Sequence, residues 1–385
     1  MTRAVEDFTA VGSRIRGCVL GGAIGDALGN PIEFYALDRI RQLYGPDGLV
    51  ELECVDGAAL ITDDTQMTLF GIEGLIRAMT RINGQGTGSV EAVVRSAYQR
   101  WLDTQSEGTA VAGAHANGWL REQQWLYHLR APGNACLSGL RHAGDGIEKF
   151  DQWGAPGPIN AKSKGCGSVM RAAPFGLAAR SAREAFELAA RCALYTHGHP
   201  TGYLAAGAFA AMVHQLTLGA SVREAVAEAT ELTRAYPSHE ETTTALGNAV
   251  ALAGVGDPSG EKVETLGGGW IAEEALAIAV YCALVELPES PVRGSGFGTY
   301  AGRSPVQNAL LLSVNHSGDS DSTGAICGNL LGAAYGYESL PGEWLILVEH
   351  RAVITELADD LALALREGHT LALGSRAWTA KYPGD

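Results

Sequence analysis

The stretch AREAFELAARCALYTHGHPTGYLAAGAFAAMVHQLTLG, residues 182–219, decides the fold class of this chain. Alanine and leucine, which strongly favour the helix, dominate both of its halves. The pattern predicts helices over 182–197 and 202–219, with a break at Pro200 between them.

The same helical periodicity extends outward in both directions along the chain. Clear period-two alternation is nearly absent, and only GLVELECV (48–55) reads as a short strand. Proline-rich, charged or low-complexity linkers are not found, so we predict that residues 1–385 form one compact all-α domain of ten or more helices. Further helices are predicted over 5–23, 64–81, 89–103, 221–235, 238–253, 270–287, 305–314, 322–335 and 341–366.

Composition argues against several classes of protein, without excluding a nucleic-acid partner. The 385 residues are 46% hydrophobic, which is ample for a large core, and the net charge of −15 disfavours nucleic acid and anionic membranes as obligate partners. The start of the chain does not resemble a signal peptide, and no run of about 18 apolar residues predicts a membrane span. Seven cysteines without a CxxC pair are typical of a reduced, cytoplasmic protein.

A first cluster of acids lies in LITDDTQMTLFGIEGLIRAM, residues 60–79. Asp63 and Asp64 are adjacent, flanked by Thr62 and Thr65, just where a predicted helix begins. Threonine and aspartate are common N-cap residues, and acids suit the positive end of the helix dipole. Capping is therefore one interpretation; a metal site is the other, because two adjacent carboxylates repel each other unless a cation lies between them.

A second cluster lies in NHSGDSDSTGAICGNLLGAAYG, residues 315–336. Asp319, Asp321 and Ser322 again precede a helix rich in small residues. An EF-hand is excluded because its twelfth position would be Leu330 rather than a bidentate glutamate. If the two clusters meet in space, their carboxylate and hydroxyl oxygens suit divalent cations such as Mg²⁺ or Mn²⁺. Capping and metal binding both stay open from these residues alone.

Six motifs in order along the chain carry a family resemblance. Over residues 12–366 the chain resembles the ADP-ribosylglycohydrolase family, which includes the dinitrogen-reductase-activating glycohydrolases and the vertebrate ADP-ribosylhydrolases. The motifs are GGAIGDALGNPIEF (21–34), TDDTQMTL (62–69), KGCGSVMRAAPFGL (164–177), THGHP (196–200), GWIAEEALAIAVYCAL (269–284) and GDSDSTGAICGNLLGA (318–333).

The resemblance implies an all-α fold whose central cleft holds two divalent cations, Mg²⁺ or Mn²⁺. The ligands it implies are Thr62, Asp63, Asp64, Asp319, Asp321 and Ser322. It also implies that Glu33 is the acid that closes over the metals, and that Glu33, Asp63 or Asp64 serves as general acid or base.

The implied reaction is hydrolysis at C1″ of the distal ribose, releasing ADP-ribose from a modified protein or small adduct, with arginine-linked ADP-ribose favoured. Two alternatives remain: a catalytically silent protein that binds ADP-ribose or a nucleotide, and a metal-dependent nucleotide phosphohydrolase.

Several residues are candidates for binding the substrate. The GCGSVMR loop (165–171), with Gly165, Cys166, Gly167 and Ser168, could cradle a diphosphate with its backbone N–H groups, although a tight turn explains its glycines equally well. Cys166 could shape the loop, contact the ligand or fill a small buried space, and we expect the filler or the loop role. The resemblance makes His197 a candidate contact for ribose or phosphate; the alternative is a histidine that interacts with a helix C-terminus. Phe297 and Tyr300 could stack on adenine, or belong to an ordinary surface loop.

Overall fold

Regular structure in this chain is helical. A computed structural model describes residues 2–106, 108–109, 118–142, 147–285, 303–366 and 374–384. Within these ranges there is no β-strand, only three isolated bridges, so the predicted all-α fold is confirmed. The α-helices are α1 Thr2–Gly29, α2 Leu37–Tyr44, α3 Asp63–Gln85, α4 Val90–Ser106, α5 Asn134–Leu140, α6 Ala173–Ala178, α7 Ala182–Ala193, α8 Pro200–Thr217, α9 Val222–Arg234, α10 Glu240–Ala253, α11 Gly260–Glu264, α12 Ala272–Leu284, α13 Pro305–Val314, α14 Ser320–Tyr335, α15 Gly342–Leu345, α16 Arg351–Leu365 and α17 Arg376–Lys381.

The predicted strand over 48–55 and the predicted single helix over 341–366 are not observed. Residues 48–55 form no strand, and Val55 makes only a local bridge to Ala58. The helix predicted over 341–366 is two helices, α15 and α16. It is interrupted because the backbone N–H of Glu349 bonds to the carbonyl of Ala59 at 3.0 Å and His350 adopts a left-handed conformation with φ +47°.

Helix α1 packs against α14 in antiparallel orientation through glycines on both helices. A methyl group built at Gly25 would lie 1.9 Å from the carbonyl oxygen of Gly324, and one built at Gly21 would lie 2.4 Å from that of Gly328. The two backbones are therefore in direct contact, which only glycine permits. The predicted first helix, 5–23, is too short. Helix α1 continues through this glycine-rich segment to Gly29, because the glycines allow it to pack against α14.

This packing sets the place of the second acidic cluster. The last residue of α1, Gly29, lies against the backbone of Ser320 and Asp321 at the start of α14. The C-terminal part of α1 and the turn after it, which carry Asp26 and Glu33, are thereby brought next to Asp319 and Asp321.

Helix α8 is almost completely buried, with an apolar surface on all sides. Such a helix belongs in the interior of a large helical protein. In the described residues no helix combines the length and the apolar character that a membrane span requires.

Candidate active site

The two acidic clusters line one cavity of about 380 Å³. The acids form what we call the acidic wall, and the glycine-rich loop at 165–167, the segment 131–136 and a histidine form the rest of the lining. The residues that line the cavity are Glu33, Phe34, Asp63, Asp64, Ala131, Pro132, Gly133, Asn134, Ala135, Cys136, Gly165, Cys166, Gly167, Met170, His197, Trp270, Asp319, Asp321 and Ser322.

Thr62 caps α3, whereas the two acids after it face the cavity. The Thr62 hydroxyl accepts a hydrogen bond from the backbone N–H of Asp64 at 3.3 Å, as expected of an N-cap. Asp63 and Asp64 are buried, and Oδ2 of Asp63 accepts a bond from the N–H of Gly133 at 3.4 Å. The capping interpretation therefore applies to Thr62 and leaves the carboxylates available.

Asp26, in the middle of the first motif, organises the start of α3. Its carboxylate is fully buried and accepts hydrogen bonds from the N–H of Thr62 at 3.0 Å, from the N–H of Thr65 at 3.1 Å and from the Thr65 hydroxyl. Burial, followed by the charge of Asp321, raises its pKa to about 7. The sequence did not predict a role for this residue; the only signal was an acid in the glycine-rich segment that follows the helix predicted over 5–23.

The second cluster stands at the start of α14. Asp319 precedes the helix without capping it through its side chain, and its N–H donates to the carbonyl of Gly268 at 2.8 Å. Oδ1 of Asp321 accepts a bond from the N–H of Ser322 at 2.9 Å. Capping of α14 therefore does not explain why a carboxylate is present at residue 319.

Glu33 completes the group of acids. One carboxylate oxygen from each of Glu33, Asp319 and Asp321 lies within 4.8 Å of the other two. Burial, followed by the negative charges of Asp321 and Asp63, raises the pKa of Glu33 to about 9. These carboxyl groups thus cannot all be ionised side by side unless positive charge is placed between them.

Burial is also the largest cause of the raised pKa values of three of the four aspartates that line the cavity. The pKa of Asp63, Asp64 and Asp319 lies well above the ordinary value, and the charge of Asp321 adds to the effect of burial in each case. Among the described residues, Oδ1 of Asp64 is buried and has no hydrogen-bond partner. A set of hard oxygen donors with an unpartnered carboxylate oxygen fits a divalent cation such as Mg²⁺ or Mn²⁺.

The glycine-rich loop contributes Gly165, Cys166 and Gly167 to the cavity, but not Ser168. The Ser168 hydroxyl donates to the carbonyl of Gly202 at 2.8 Å, and the N–H of Cys166 donates to the carbonyl of Trp270 at 3.1 Å. The Ser168 hydroxyl and the N–H of Cys166 are therefore already hydrogen-bonded within the protein.

Cys166 lies against the acidic cluster rather than within an apolar core. Its Sγ atom is 2.7 Å from Oδ2 of Asp319, and the residue is half-buried at the cavity surface. Burial, and then the charge and hydrogen bond of Asp319, raises the pKa of the thiol well above its usual value. The thiol is therefore a hydrogen-bond donor to a carboxylate, a role that the sequence did not predict.

His197 is a buried residue of the cavity lining. Its Nδ1 atom lies 2.8 Å from the Thr196 hydroxyl, and its ring lies against Gly165 and Gly167. Burial and the nearby charge of Arg171 lower the pKa of His197 to about 3, so the ring is neutral at physiological pH.

Two exposed aromatic residues mark the rim. Phe34 and Trp270 stack with ring centroids 5.2 Å apart, and they are 67% and 43% exposed. Phe34 adopts the left-handed backbone conformation, φ +69°, which is rare for a bulky residue. The pattern around these residues did not predict this pair. The predicted adenine contacts, Phe297 and Tyr300, lie outside the described residues.

The chain is similar to known proteins over most of its length. A family model described as ADP-ribosylglycohydrolase matches residues 8–370. A solved structure described as an ADP-ribosylglycohydrolase-related protein complex has a TM-score of 0.61 and 23% identity, covering 93% of this chain and 100% of that chain. At this identity the structural likeness supports the fold alone.

Three relatives are similar over most of their length. The ADP-ribosyl-(dinitrogen reductase) glycohydrolase of Rhodospirillum rubrum is 26% identical, over 87% of this chain and 90% of that protein. ADP-ribosylhydrolase ARH3 of Danio rerio is 26% identical, over 93% and 91%. ADP-ribosylarginine hydrolase Tri1 of Pseudomonas putida is 25% identical, over 90% and 77%.

Proposed function

Because the chain belongs to the ADP-ribosylglycohydrolase family, we propose that it is a divalent-cation-dependent hydrolase that releases ADP-ribose from a modified target, with arginine-linked ADP-ribose as the preferred substrate. The observation that carries the proposal is the meeting of Glu33, Asp63, Asp64, Asp319 and Asp321 at one cavity. The arginine linkage is supported by the similarity to the ADP-ribosylarginine hydrolase of P. putida.

The acidic wall would hold two cations, Mg²⁺ or Mn²⁺. Asp63 and Asp64 would bind them from the start of α3, with the Thr62 hydroxyl beside them. Asp319, Asp321 and Ser322 would bind them from the start of α14. When bound, such cations offset carboxylate repulsion, hold the hydroxyls of a ribose and polarise a water molecule.

Three carboxyl groups are candidates for moving the proton. Hydrolysis adds water at C1″ and returns a proton to the departing group, so one general base and one general acid are needed. Glu33 is our candidate for the acid, because it is half-buried beside the exposed Phe34, where a departing group would leave the cavity. Asp63 and Asp64 lie deeper and are the candidates for the base. The surrounding negative charge would also stabilise an oxocarbenium-like transition state.

The test is release of free ADP-ribose from ADP-ribosyl-arginine, an ADP-ribosyl-serine peptide and ADP-ribosylated nucleic acid. Each substrate is incubated with Mg²⁺, with Mn²⁺ and with EDTA. We expect release from the arginine adduct that requires a cation. Asp63→Asn should abolish release, whereas Asp257→Asn, the same change at an exposed acid, should not.

Other outcomes identify the alternatives. Tight binding of ADP-ribose without release from any substrate would indicate a silent binding protein. Cleavage of the diphosphate of ADP-ribose to AMP and ribose 5-phosphate would indicate a phosphohydrolase. Release from the serine peptide or the nucleic acid alone would retain the reaction and overturn the arginine preference.

A further inference from the structure

Arg171 is a buried cation without an acidic partner. It is 1% exposed, and within the described ranges no carboxylate lies at ion-pair distance from its guanidinium. Its contacts are the ring of Tyr98, with Cζ 4.7 Å from the centroid, the Sγ of Cys136 at 3.2 Å, the Sδ of Met67 at 3.6 Å and the hydroxyl of Thr196. Burying a charge without a counter-charge is costly, so its presence behind the cavity wall requires an explanation.

A chain of hydrogen bonds links Arg171 to the cavity. Its Nη2 atom donates to the Thr196 hydroxyl, which lies 2.8 Å from Nδ1 of His197. The other edge of that ring faces the glycine-rich loop, where a methyl group built at Gly165 would be 3.3 Å from Nε2. The guanidinium thus reaches the ligand cavity through two intermediate side chains.

The single hydrogen of the Thr196 hydroxyl determines the direction of these hydrogen bonds. The hydroxyl has one hydrogen, and it can donate either to the carbonyl of Ala193 at 3.3 Å or to Nδ1 of His197 at 2.8 Å. A hydroxyl that accepts from a guanidinium becomes a stronger donor, and the shorter contact is the one to His197. Nδ1 is then an acceptor, and the single proton of the neutral ring resides on Nε2.

We propose that Arg171, acting through Thr196, fixes His197 in the Nε2–H tautomer, so that the cavity presents a hydrogen-bond donor to an anionic oxygen of the ligand. This inference rests on the proposed function for the identity of the ligand, in which the anionic oxygen belongs to the diphosphate of ADP-ribose. Arg171 and Thr196 are positioning residues, and His197 is the residue that contacts the ligand. The arrangement gives an anion a favourable wall in a protein with a net charge of −15.

The tautomer is measurable by long-range ¹H–¹⁵N correlation spectroscopy on the full chain labelled at histidine, near neutral pH. The signals of His197 are assigned by their loss in His197→Gln. We expect the Nε2–H pattern in the wild type and in Thr196→Ser, which keeps the hydroxyl. Thr196→Val, of nearly the same shape, removes it and should populate the Nδ1–H form. Melting temperatures of the variants verify that each is folded.

Calorimetry with ADP-ribose then tests the consequence. Thr196→Val should bind ADP-ribose about tenfold more weakly than the wild type, because a hydrogen bond to a charged group is lost. Thr196→Ser should restore the wild-type affinity. An Nδ1–H pattern in the wild type, an unchanged Nε2–H pattern in Thr196→Val, or an unchanged affinity of Thr196→Val for ADP-ribose would overturn the inference. Absence of any ADP-ribose binding by the wild type would instead overturn the proposed function, and the tautomer result would stand on its own.

Discussion

Residues at the start of α3 have separate roles although they are adjacent in sequence. The Thr62 hydroxyl caps the helix by accepting a hydrogen bond from the N–H of Asp64, and the carboxylates of Asp63 and Asp64 line the cavity. Pattern reasoning identified all three, because paired acids beside hydroxyls are conspicuous. It did not identify Asp26, since one acid in a helical segment carries no signal until the fold brings it to Thr62 and Thr65.

Asp26 offers the first test at this scale. Asp26→Ala leaves the N–H groups of Thr62 and Thr65 without their acceptor, and should lower the free energy of unfolding by about 1–3 kcal/mol. Urea unfolding at pH 6 is the suitable measurement. The pKa of Asp26 is about 7, so at pH 6 the carboxyl is largely protonated and the loss reports hydrogen bonding more than charge.

Asp257→Ala is the matched control, because Asp257 is exposed. A surface change of this kind should alter the unfolding free energy by no more than about 0.5 kcal/mol. Equal stability of the two variants would contradict the role given to Asp26.

At the scale of the elements, the contact between α1 and α14 determines where the second acidic cluster lies. Glycines at 17, 21 and 25 of α1 meet glycines at 332, 328 and 324 of α14 backbone to backbone. Because the helices are antiparallel, the end of α1 contacts the start of α14. Glu33, which follows α1, therefore lies beside Asp319 and Asp321.

Gly25→Ala tests this contact. The added methyl would lie 1.9 Å from the carbonyl oxygen of Gly324, so the helices must separate. Overpacking of this kind costs about 1–3 kcal/mol of stability and should weaken Mn²⁺ binding as the clusters move apart. Denaturant unfolding and a Mn²⁺ titration measure the two effects.

Gly12→Ala serves as the control within the same helix. No atom lies within 4 Å of a methyl group at that position, and alanine favours the helix over glycine by up to about 1 kcal/mol. This variant should be as stable as the wild type or more so. If both variants behaved alike, close packing between α1 and α14 would not be what holds the site together.

Helical periodicity could predict most of the elements but not their contacts. The alanine-rich helices α7, α8 and α12 lie close to their predicted positions because composition and period agree there. The sequence did not predict the end of α1, because glycine lowers helix propensity locally. The close packing that these glycines permit exists only in contact with α14. The rim pair Phe34 and Trp270 was missed for a similar reason: the two residues are far apart in sequence.

For the whole molecule, a group of acids forms where the first and the last of the six motifs meet. Asp26 and Glu33 come from the first motif, and Asp319 and Asp321 from the last. The extent of the domain over residues 1–385 stays a prediction. The net charge of −15 and the raised pKa values in the cavity have a measurable consequence for stability.

Stability without divalent cations should fall as pH rises from about 7 to 8. In the folded protein Glu33, with a pKa of about 9, keeps a proton that the unfolded chain has released, so raising the pH favours unfolding. The histidines whose pKa is lowered by burial have the opposite effect on stability, but only below about pH 6.5, their ordinary pKa. Cysteine thiols titrate in the unfolded chain only near pH 9.0, above this range.

The melting temperature, recorded across this range with EDTA and with saturating Mn²⁺, measures the effect. A bound cation displaces the protons from the folded protein, so the fall with pH should disappear and the melting temperature should rise. An identical pH dependence in both conditions would contradict the account of the acidic wall.

The central claim, that acids about 250 residues apart in sequence form one cation site, is tested most directly by Mn²⁺ binding followed by electron paramagnetic resonance. The proteins compared are the wild type, Asp64→Asn, Asp319→Asn and the exposed-site control Asp257→Asn. We predict two bound Mn²⁺ ions per wild-type chain, the same in Asp257→Asn, and weakened binding in both other variants. Wild-type Mn²⁺ binding by Asp64→Asn and by Asp319→Asn would contradict the claim.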